Sequence, residues 1–212
     1  AGLPKGVVNV VTNAPEDAPQ IVEALIAHPA VKRVNFTGST RVGRIIGELA
    51  GRHLKPALLE LGGKNPMLVL DDADIDAAVN AAAFGCYMNQ GQICMSTERV
   101  IVDQRIADAF VDKFATRAKA LKAGDPRDKS HALGTLINPA SGEKLNSLIE
   151  DAVDKGAHLA AGGKAEGVVM QATVIDGVTS DMRLYSEESF GPVVALMRVK
   201  DEEDALRVAN DS

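Results

Sequence analysis

The chain has 212 residues, 46% of them hydrophobic and 25% charged, enough to bury a sizeable core as one large domain or two small ones. A formal net charge of −6 and a sequence pI near 5.3 leave no basic field for nucleic acid or an anionic membrane surface, which points to small-molecule chemistry. No apolar run reaches the roughly 18 residues that span a bilayer, no secretory pattern opens the chain, and Cys86 and Cys94 are too few for a disulfide framework, so a reducing, cytoplasmic setting is expected.

Val7 to Val11, a β-branched run entered through Gly-Leu-Pro-Lys-Gly, reads as a buried strand. A helix follows from about Asp17 to Ala27, then a strand over Val31 to Thr37. Gly38-Ser39-Thr40 reads as a turn with a capping hydroxyl, and Arg41 to Ala50 as a helix. Leu58 to Leu61 is a short strand ending at Gly62-Gly63. Pro66 to Leu70 is another, leading through acidic residues into a long helix from Ile75 to Met88. Beyond Cys94, Arg99 to Asp103 reads as a strand and Ala107 to Lys122 as a helix stopped by Gly124-Asp125-Pro126. Ser141 to Lys155 is a further helix, Gly162-Gly163 a turn, Ala172 to Ile175 and Val193 to Val199 strands, and Glu202 to Asn210 a closing helix. Alternating strands and helices predict an α/β architecture with a mainly parallel sheet, divided near Glu60 to Lys64 by the Gly-Gly pair.

Asn89-Gln90-Gly91-Gln92-Ile93-Cys94-Met95-Ser96 places a thiol in a loop just after a long helix, where exposed backbone amides could stabilise an oxyanion. A cysteine of ordinary pKa, about 8.5, needs a base or a thiolate-favouring environment to act as a nucleophile, and is otherwise inert core filler. Cys86, inside a helical pattern with Ala82, Ala83 and Phe84, reads as filler. Glu60 closes the apolar run Ala-Leu-Leu at a glycine turn, where a carboxylate is either a solvated loop acid or a general base facing a cleft. Glu187-Glu188-Ser189-Phe190-Gly191-Pro192 offers an acid for sugar hydroxyls and an aromatic ring for a flat cofactor, or simply a rigid turn. Phe36-Thr37-Gly38-Ser39-Thr40 and Gly43 run from strand to helix start and could direct free amides at a pyrophosphate, although they form neither a G-x-G-x-x-G pattern nor a P-loop. His28, His53, His131 and His158 lie far apart, without metal-ligand spacing, and are expected on the surface.

Taken in order, FTGSTRVG, LELGGKNP, NQGQICMS and EESFGPV resemble the aldehyde dehydrogenase family over essentially the whole chain. The resemblance implies that Cys94 is the nucleophile and Glu60 the general base. It further implies that Gly38, Ser39 and Leu61 lie at the cofactor site, near its pyrophosphate in the case of Gly38 and Ser39. Glu188 and Phe190 would then contact the nicotinamide ribose and ring of NAD, with NADP possible. Residues 1–60 become the remnant of a Rossmann-like dinucleotide-binding domain and 61–212 an α/β catalytic domain bearing the thiol. The stretches YMNQGQICMSTERVIVD and DMRLYSEESFGP look most like the branch acting on aromatic aldehydes such as salicylaldehyde, vanillin or benzaldehyde. Tyr87, Met88, Ile93 and Met95 become candidates for the aldehyde pocket, with core packing the other possibility for each.

Family members extend beyond Ala1 and Ser212. Those regions carry the first cofactor-domain strands, the lysine and acid that hold the adenine ribose, an oxyanion-hole asparagine, the rest of the catalytic domain and an oligomerisation strand. The chain is therefore expected to be a segment of a longer, homo-oligomeric protein, with weak cofactor affinity if it acts alone. Two other functions are compatible with the residues: a cofactor-independent thiol esterase using Cys94 and Glu60, and a silent fragment completed by a partner that covers its exposed sheet edges.

Overall fold

The structure is a computed structural model describing residues 2–211. The chain divides between Gly62 and Gly63 into two compact units.

In the first unit, a short 3-10 turn (Pro15–Asp17) leads into α1 (Ala18–Ala27), followed by β1 (Val34–Thr37), α2 (Thr40–Arg52) and β2 (Ala57–Glu60). The two strands are parallel, Val34 facing Ala57 and Thr37 facing Glu60. Helix α2 starts where the Ser39 hydroxyl accepts from the Val42 amide at 3.3 Å, and it turns Gly43, Ile46 and Ala50 inward. Lys55 Nζ donates to the carbonyls of Ile26 and His28, tying the end of α1 to the approach to β2. The strand expected over Val7 to Val11 does not form. Its four valines are exposed, and a β-branched run becomes a strand only where a neighbouring edge supplies donors and acceptors, which no described residue does here.

The second unit contains β3 (Asn65–Val69), α3 (Ile75–Tyr87), β4 (Thr97–Asp103), α4 (Ala107–Lys119), α5 (Pro139–Asp154), β5 (His158–Ala161), β6 (Thr173–Asp176), α6 (Arg183–Ser186), β7 (Val193–Val199) and α7 (Glu202–Ala209). Five strands form one sheet in the order β3-β4-β7-β6-β5, parallel throughout except for the β5 edge. Strand alternation sends Val100, Val102, Val194 and Leu196 to a core with α3 and α4, and Ile101, Ala195, Met197 and Val199 to a core with α5 and α7. That double burial is why β4 and β7 carry the apolar runs Val100 to Val102 and Val193 to Met197. Helix α4 ends three residues earlier than its pattern suggests, because the Lys122 carbonyl accepts from Ala132 and Leu133 and the Gly124 amide donates to Leu133, which recruits Ala123 into an isolated bridge.

Arg99, wholly buried on β4, anchors the unit. Its Nε donates to the Lys64 carbonyl at 2.8 Å, while its two terminal nitrogens donate to Val208 and Ala209 at 3.0 Å each, placing a cation on the carbonyl end of α7. Among the described residues no helix is long and apolar enough to cross a membrane. Phe114, fully buried, packs against Tyr87 and Phe110 with ring centroids 5.9 and 5.5 Å away. Phe114→Ala should therefore destabilise the protein by about 3–5 kcal/mol in urea unfolding followed by circular dichroism. A loss below about 1 kcal/mol would mean this face is not tightly packed.

Candidate active site

In the first unit, both parallel strands end together. The Gly38 amide, just past β1, donates to the Glu60 carbonyl at 3.0 Å, so the exposed Glu60 carboxylate stands at a strand end beside the Gly38-Ser39 turn. Carboxyl ends of parallel strands are where α/β sheets present residues to ligands. Gly38 and Ser39 are themselves exposed, and a Cβ on Gly38 would lie 2.5 Å from the tip of the Phe36 ring, so the turn comes closer to that ring than any side chain permits. Beyond the turn, a cavity of about 630 Å³ runs between α1 and α2, lined by Val22, Phe36, Arg41, Val42 and Ile45 among others. An apolar groove opening beside the first turn of a 13-residue helix fits a ligand with a flat ring and an anionic linker. Leu61 is half-buried, its side chain lying where a Cβ on Gly43 would be.

The thiol of the second unit sits on a loop held from several sides. After α3 the chain reverses through Asn89, Gln90 and Gly91 at φ of 49°, 57° and 66°. Left-handed geometry costs Gln90 about 1–2 kcal/mol, and Asn89, whose short amide side chain tolerates it, less. Gly91 is required, because a Cβ there would overlap the carbonyl oxygen of Gly191. Asn65 Nδ2 donates to the carbonyls of Cys94 at 2.8 Å and Ser96 at 3.1 Å. The Gln92 amide bridges the Thr135 carbonyl (3.2 Å) and the Ile137 amide (2.9 Å). Cys94 is left exposed on this braced loop, and among the described residues no acceptor engages the amides of Cys94 or Met95. Those amides are free to meet an oxyanion. Cys86 is buried in the core, where burial pushes its thiol far above the ordinary range and leaves it inert.

The apolar candidates divide. Met88 and Met95 are exposed and Ile93 is half-buried, all within the thiol loop or next to it. Tyr87, a candidate for either the pocket or the core, lies in the core: it is 2% exposed, and its hydroxyl donates to the Thr173 carbonyl at 3.2 Å. Phe84 is the reverse case. It lies inside the helical pattern with Ala82, Ala83 and Cys86, yet it is 69% exposed, four residues before Met88, whose backbone caps the end of α3. The signal was available, since Val79, Ala82, Ala83, Cys86 and Tyr87 form the buried stripe at helical spacing and exclude Phe84.

The segment around Glu188 and Phe190 is fixed by four residues that motif reading passed over: Lys64, Glu98, Lys144 and Gly63. The Glu98 carboxylate accepts from the Ser189 amide (2.7 and 3.0 Å) and the Phe190 amide (2.9 Å). Its partner Lys64, 2.8 Å away, also donates to the Ser189 hydroxyl at 3.0 Å; both charged side chains are almost wholly buried. Burial pulls the Lys64 ammonium below its ordinary range, against the attraction of Glu98. Lys144 holds the Glu188 carbonyl at 2.7 Å, and the Gly63 amide reaches the half-buried Glu188 carboxylate at 3.3 Å. Phe190 is held at φ 54°, a costly conformation for an aromatic residue, with its ring 40% exposed. His28, His53 and His158 are exposed and His131 half-buried; among the described residues no cluster of three or more His, Cys, Asp or Glu could hold a metal.

Residues 1–212 match the Aldehyde dehydrogenase family, and the chain belongs to it. It is 64% identical over its full length to a vanillin dehydrogenase from Pseudomonas fluorescens, of which it spans 44%. It resembles the crystal structure of a salicylaldehyde dehydrogenase from Pseudomonas putida G7 complexed with salicylaldehyde, with a TM-score of 0.97 and 54% identity, covering all of this chain and 44% of that one. It also resembles a betaine aldehyde dehydrogenase from Staphylococcus aureus in complex with NAD+, with a TM-score of 0.91 and 34% identity over all of this chain and 43% of that one. The chain thus spans less than half the length of these relatives.

Gly91→Ala should lower stability by about 1–3 kcal/mol and change the rate at which iodoacetamide alkylates Cys94. Gly51→Ala, where an added Cβ meets nothing, is the comparison. Equal behaviour of the two variants would show that the backbone contact with Gly191 does not shape the loop.

Proposed function

We propose that this chain carries the chemistry of an NAD-dependent oxidation of an aldehyde, most suitably an aromatic one, to its carboxylic acid. The observation that carries this is Cys94, an exposed thiol on a loop braced by Asn65 and Gln92, with free amides at its base.

The Cys94 sulfur attacks the aldehyde carbon, forming a C–S bond and sending the carbonyl π electrons to oxygen. The resulting oxyanion is received by the amides at Cys94 and Met95. A nicotinamide cofactor, when bound, supplies the acceptor for the hydride that leaves this carbon as the C=O bond re-forms, giving a thioester on Cys94. Glu60 then takes a proton from water, the hydroxide adds to the thioester carbon, and the C–S bond breaks to release the acid and return the thiolate. Gly38, Ser39 and the apolar groove between α1 and α2 would hold the adenine and pyrophosphate end of the cofactor, which makes the first unit its dinucleotide-binding part. Glu188 and Phe190 would hold the nicotinamide ribose and ring.

The aromatic assignment is supported by Phe84, Met88 and Met95, large apolar side chains exposed on or close to the thiol loop, and by what the Pseudomonas relatives are named for. An offset ring contact contributes about 0.5–1.5 kcal/mol beyond burial.

Cys94→Ala should abolish aldehyde-dependent NADH formation. Glu60→Gln should leave a first-turnover burst of NADH followed by slow steady-state turnover, since acylation precedes the step it serves. Phe84→Ala should raise KM for benzaldehyde about tenfold relative to acetaldehyde. NADH formation unchanged in Cys94→Ala would sink the dehydrogenase assignment. Ester cleavage by Cys94 with no aldehyde oxidation at any NAD concentration would replace it with a thiol esterase.

A further inference from the structure

Strands β3, β4 and β7 are parallel neighbours in that order, so the segments that precede them emerge at one end of the sheet. Those segments are Gly63-Lys64, the thiol loop, and the turn carrying Glu188 and Phe190. Glu98 lies on the central strand, four residues after Cys94, and touches both flanking segments at once. One carboxylate oxygen meets Lys64 Nζ at 2.8 Å, and the pair of oxygens receives the amides of Ser189 and Phe190 at 2.7–3.0 Å. A second, independent contact joins the turn to the thiol loop, because the backbone of Gly191 occupies the space a Cβ on Gly91 would need.

From this geometry we infer that Glu98 is a positioning residue for hydride transfer: by clamping the Phe190 amide with the help of Lys64, it references the nicotinamide-holding turn to the strand that carries the nucleophile. The inference rests on the proposal that Glu188 and Phe190 hold the nicotinamide. Phe190 sits at φ 54°, which an L-aromatic residue does not retain by its own preference. The two charge-assisted bonds from Glu98 to consecutive amides supply that constraint. Without them the backbone relaxes toward ordinary angles and swings the ring and the Glu188 carboxylate away from the sulfur. Among the described residues Glu98 bonds Lys64 and the Ser189 and Phe190 amides, with no hydrogen bond to the Cys94 sulfur, so its loss should leave the thiol chemistry intact while spoiling the alignment.

The test compares Glu98→Gln, Lys64→Met/Glu98→Gln and Phe190→Ala in the purified protein. Three readouts are taken: alkylation of Cys94 by iodoacetamide without cofactor, the fluorescence of NADH on binding, and kcat with a deuterated aldehyde. Glu98→Gln should keep the alkylation rate within about twofold, diminish the enhancement of NADH fluorescence, lower kcat by about 10 to 10², and raise the deuterium isotope effect as hydride transfer becomes limiting. If the single variant does not fold because Lys64 is left buried without its counter-charge, the double variant removes that charge and should show the same pattern. Unchanged NADH fluorescence and isotope effect in the Glu98 variant that folds, alongside altered values in Phe190→Ala, would overturn the positioning role. Unchanged values in Phe190→Ala as well would instead overturn the placement of the nicotinamide at this turn, and the inference with it.

Discussion

The second unit is organised around one buried ion pair, Lys64 with Glu98. Both side chains are almost completely withdrawn from water, and a desolvated pair contributes little net stability unless the remaining donors and acceptors are also satisfied. Here they are: the carboxylate receives two backbone amides besides the ammonium, and the ammonium finds the Ser189 hydroxyl. The specificity lies in what the pair connects. It joins the approach to β3, the start of β4 and the turn before β7, so three segments distant in sequence share one geometry. Arg99, the next residue on β4, faces the other way and does the equivalent work for structure, fastening the Lys64 carbonyl and the end of α7.

The thiol loop illustrates how strain is retained at the candidate site. Three consecutive left-handed residues, the last of them a glycine pressed against a backbone carbonyl, form an unfavourable backbone. They persist because the Asn65 side chain takes up the Cys94 and Ser96 carbonyls from outside the loop, and Gln92, within it, ties the loop to the backbone of Thr135 and Ile137. The result is an exposed sulfur on a segment with few alternatives. A cysteine in the apolar interior is the opposite case, and Cys86, eight residues earlier on α3, shows it: same side chain, buried, with its thiol driven up by desolvation.

Much of the fold is legible in the sequence because the local signals agree with one another. Ser39, Asp74 and Asp201 cap α2, α3 and α7 with their side chains, and the doubly buried strands β4 and β7 carry the apolar runs Val100 to Val102 and Val193 to Met197. Failures occur where a segment depends on what lies beside it. The valines before Asn13 have strand propensity but no edge to pair with, while His158 to Ala161 has weak propensity and forms β5 because the edge of β6 is available. The same division holds in the site. Cys94, Glu60 and the glycine turns are conspicuous in one dimension because loops with unusual residues stand out. Glu98 and Lys64 do not, since an acid in a strand and a lysine after two glycines look solvated until topology buries them against each other. Tyr87 and Phe84 are separated by helical phase alone: the buried stripe of α3 runs through the first and past the second.

The two units use opposite ends of their parallel strands. In the first, Gly38, Ser39 and Glu60 follow the carboxyl ends of β1 and β2, the ordinary place for ligands in α/β sheets, where a helix N-terminus and a groove are both at hand. In the second, the thiol loop and the Glu188–Phe190 turn precede the amino ends of β4 and β7. At that end a loop runs forward into a strand with no helix start to hold its geometry, so the backbone groups of the loop must be met by side chains. That is the role of Asn65, Gln92, Lys144 and Glu98, all of which spend their polar atoms on backbone carbonyls or amides of these loops or of the segment beside them. Such an arrangement requires more buried polar chemistry than a carboxyl-end site, and it returns a loop whose position is set by the sheet itself. In the proposed reaction a carbon bonded to the Cys94 sulfur would also face a hydride acceptor, and fixing the thiol loop and the turn to the adjacent strands β4 and β7 suits that requirement.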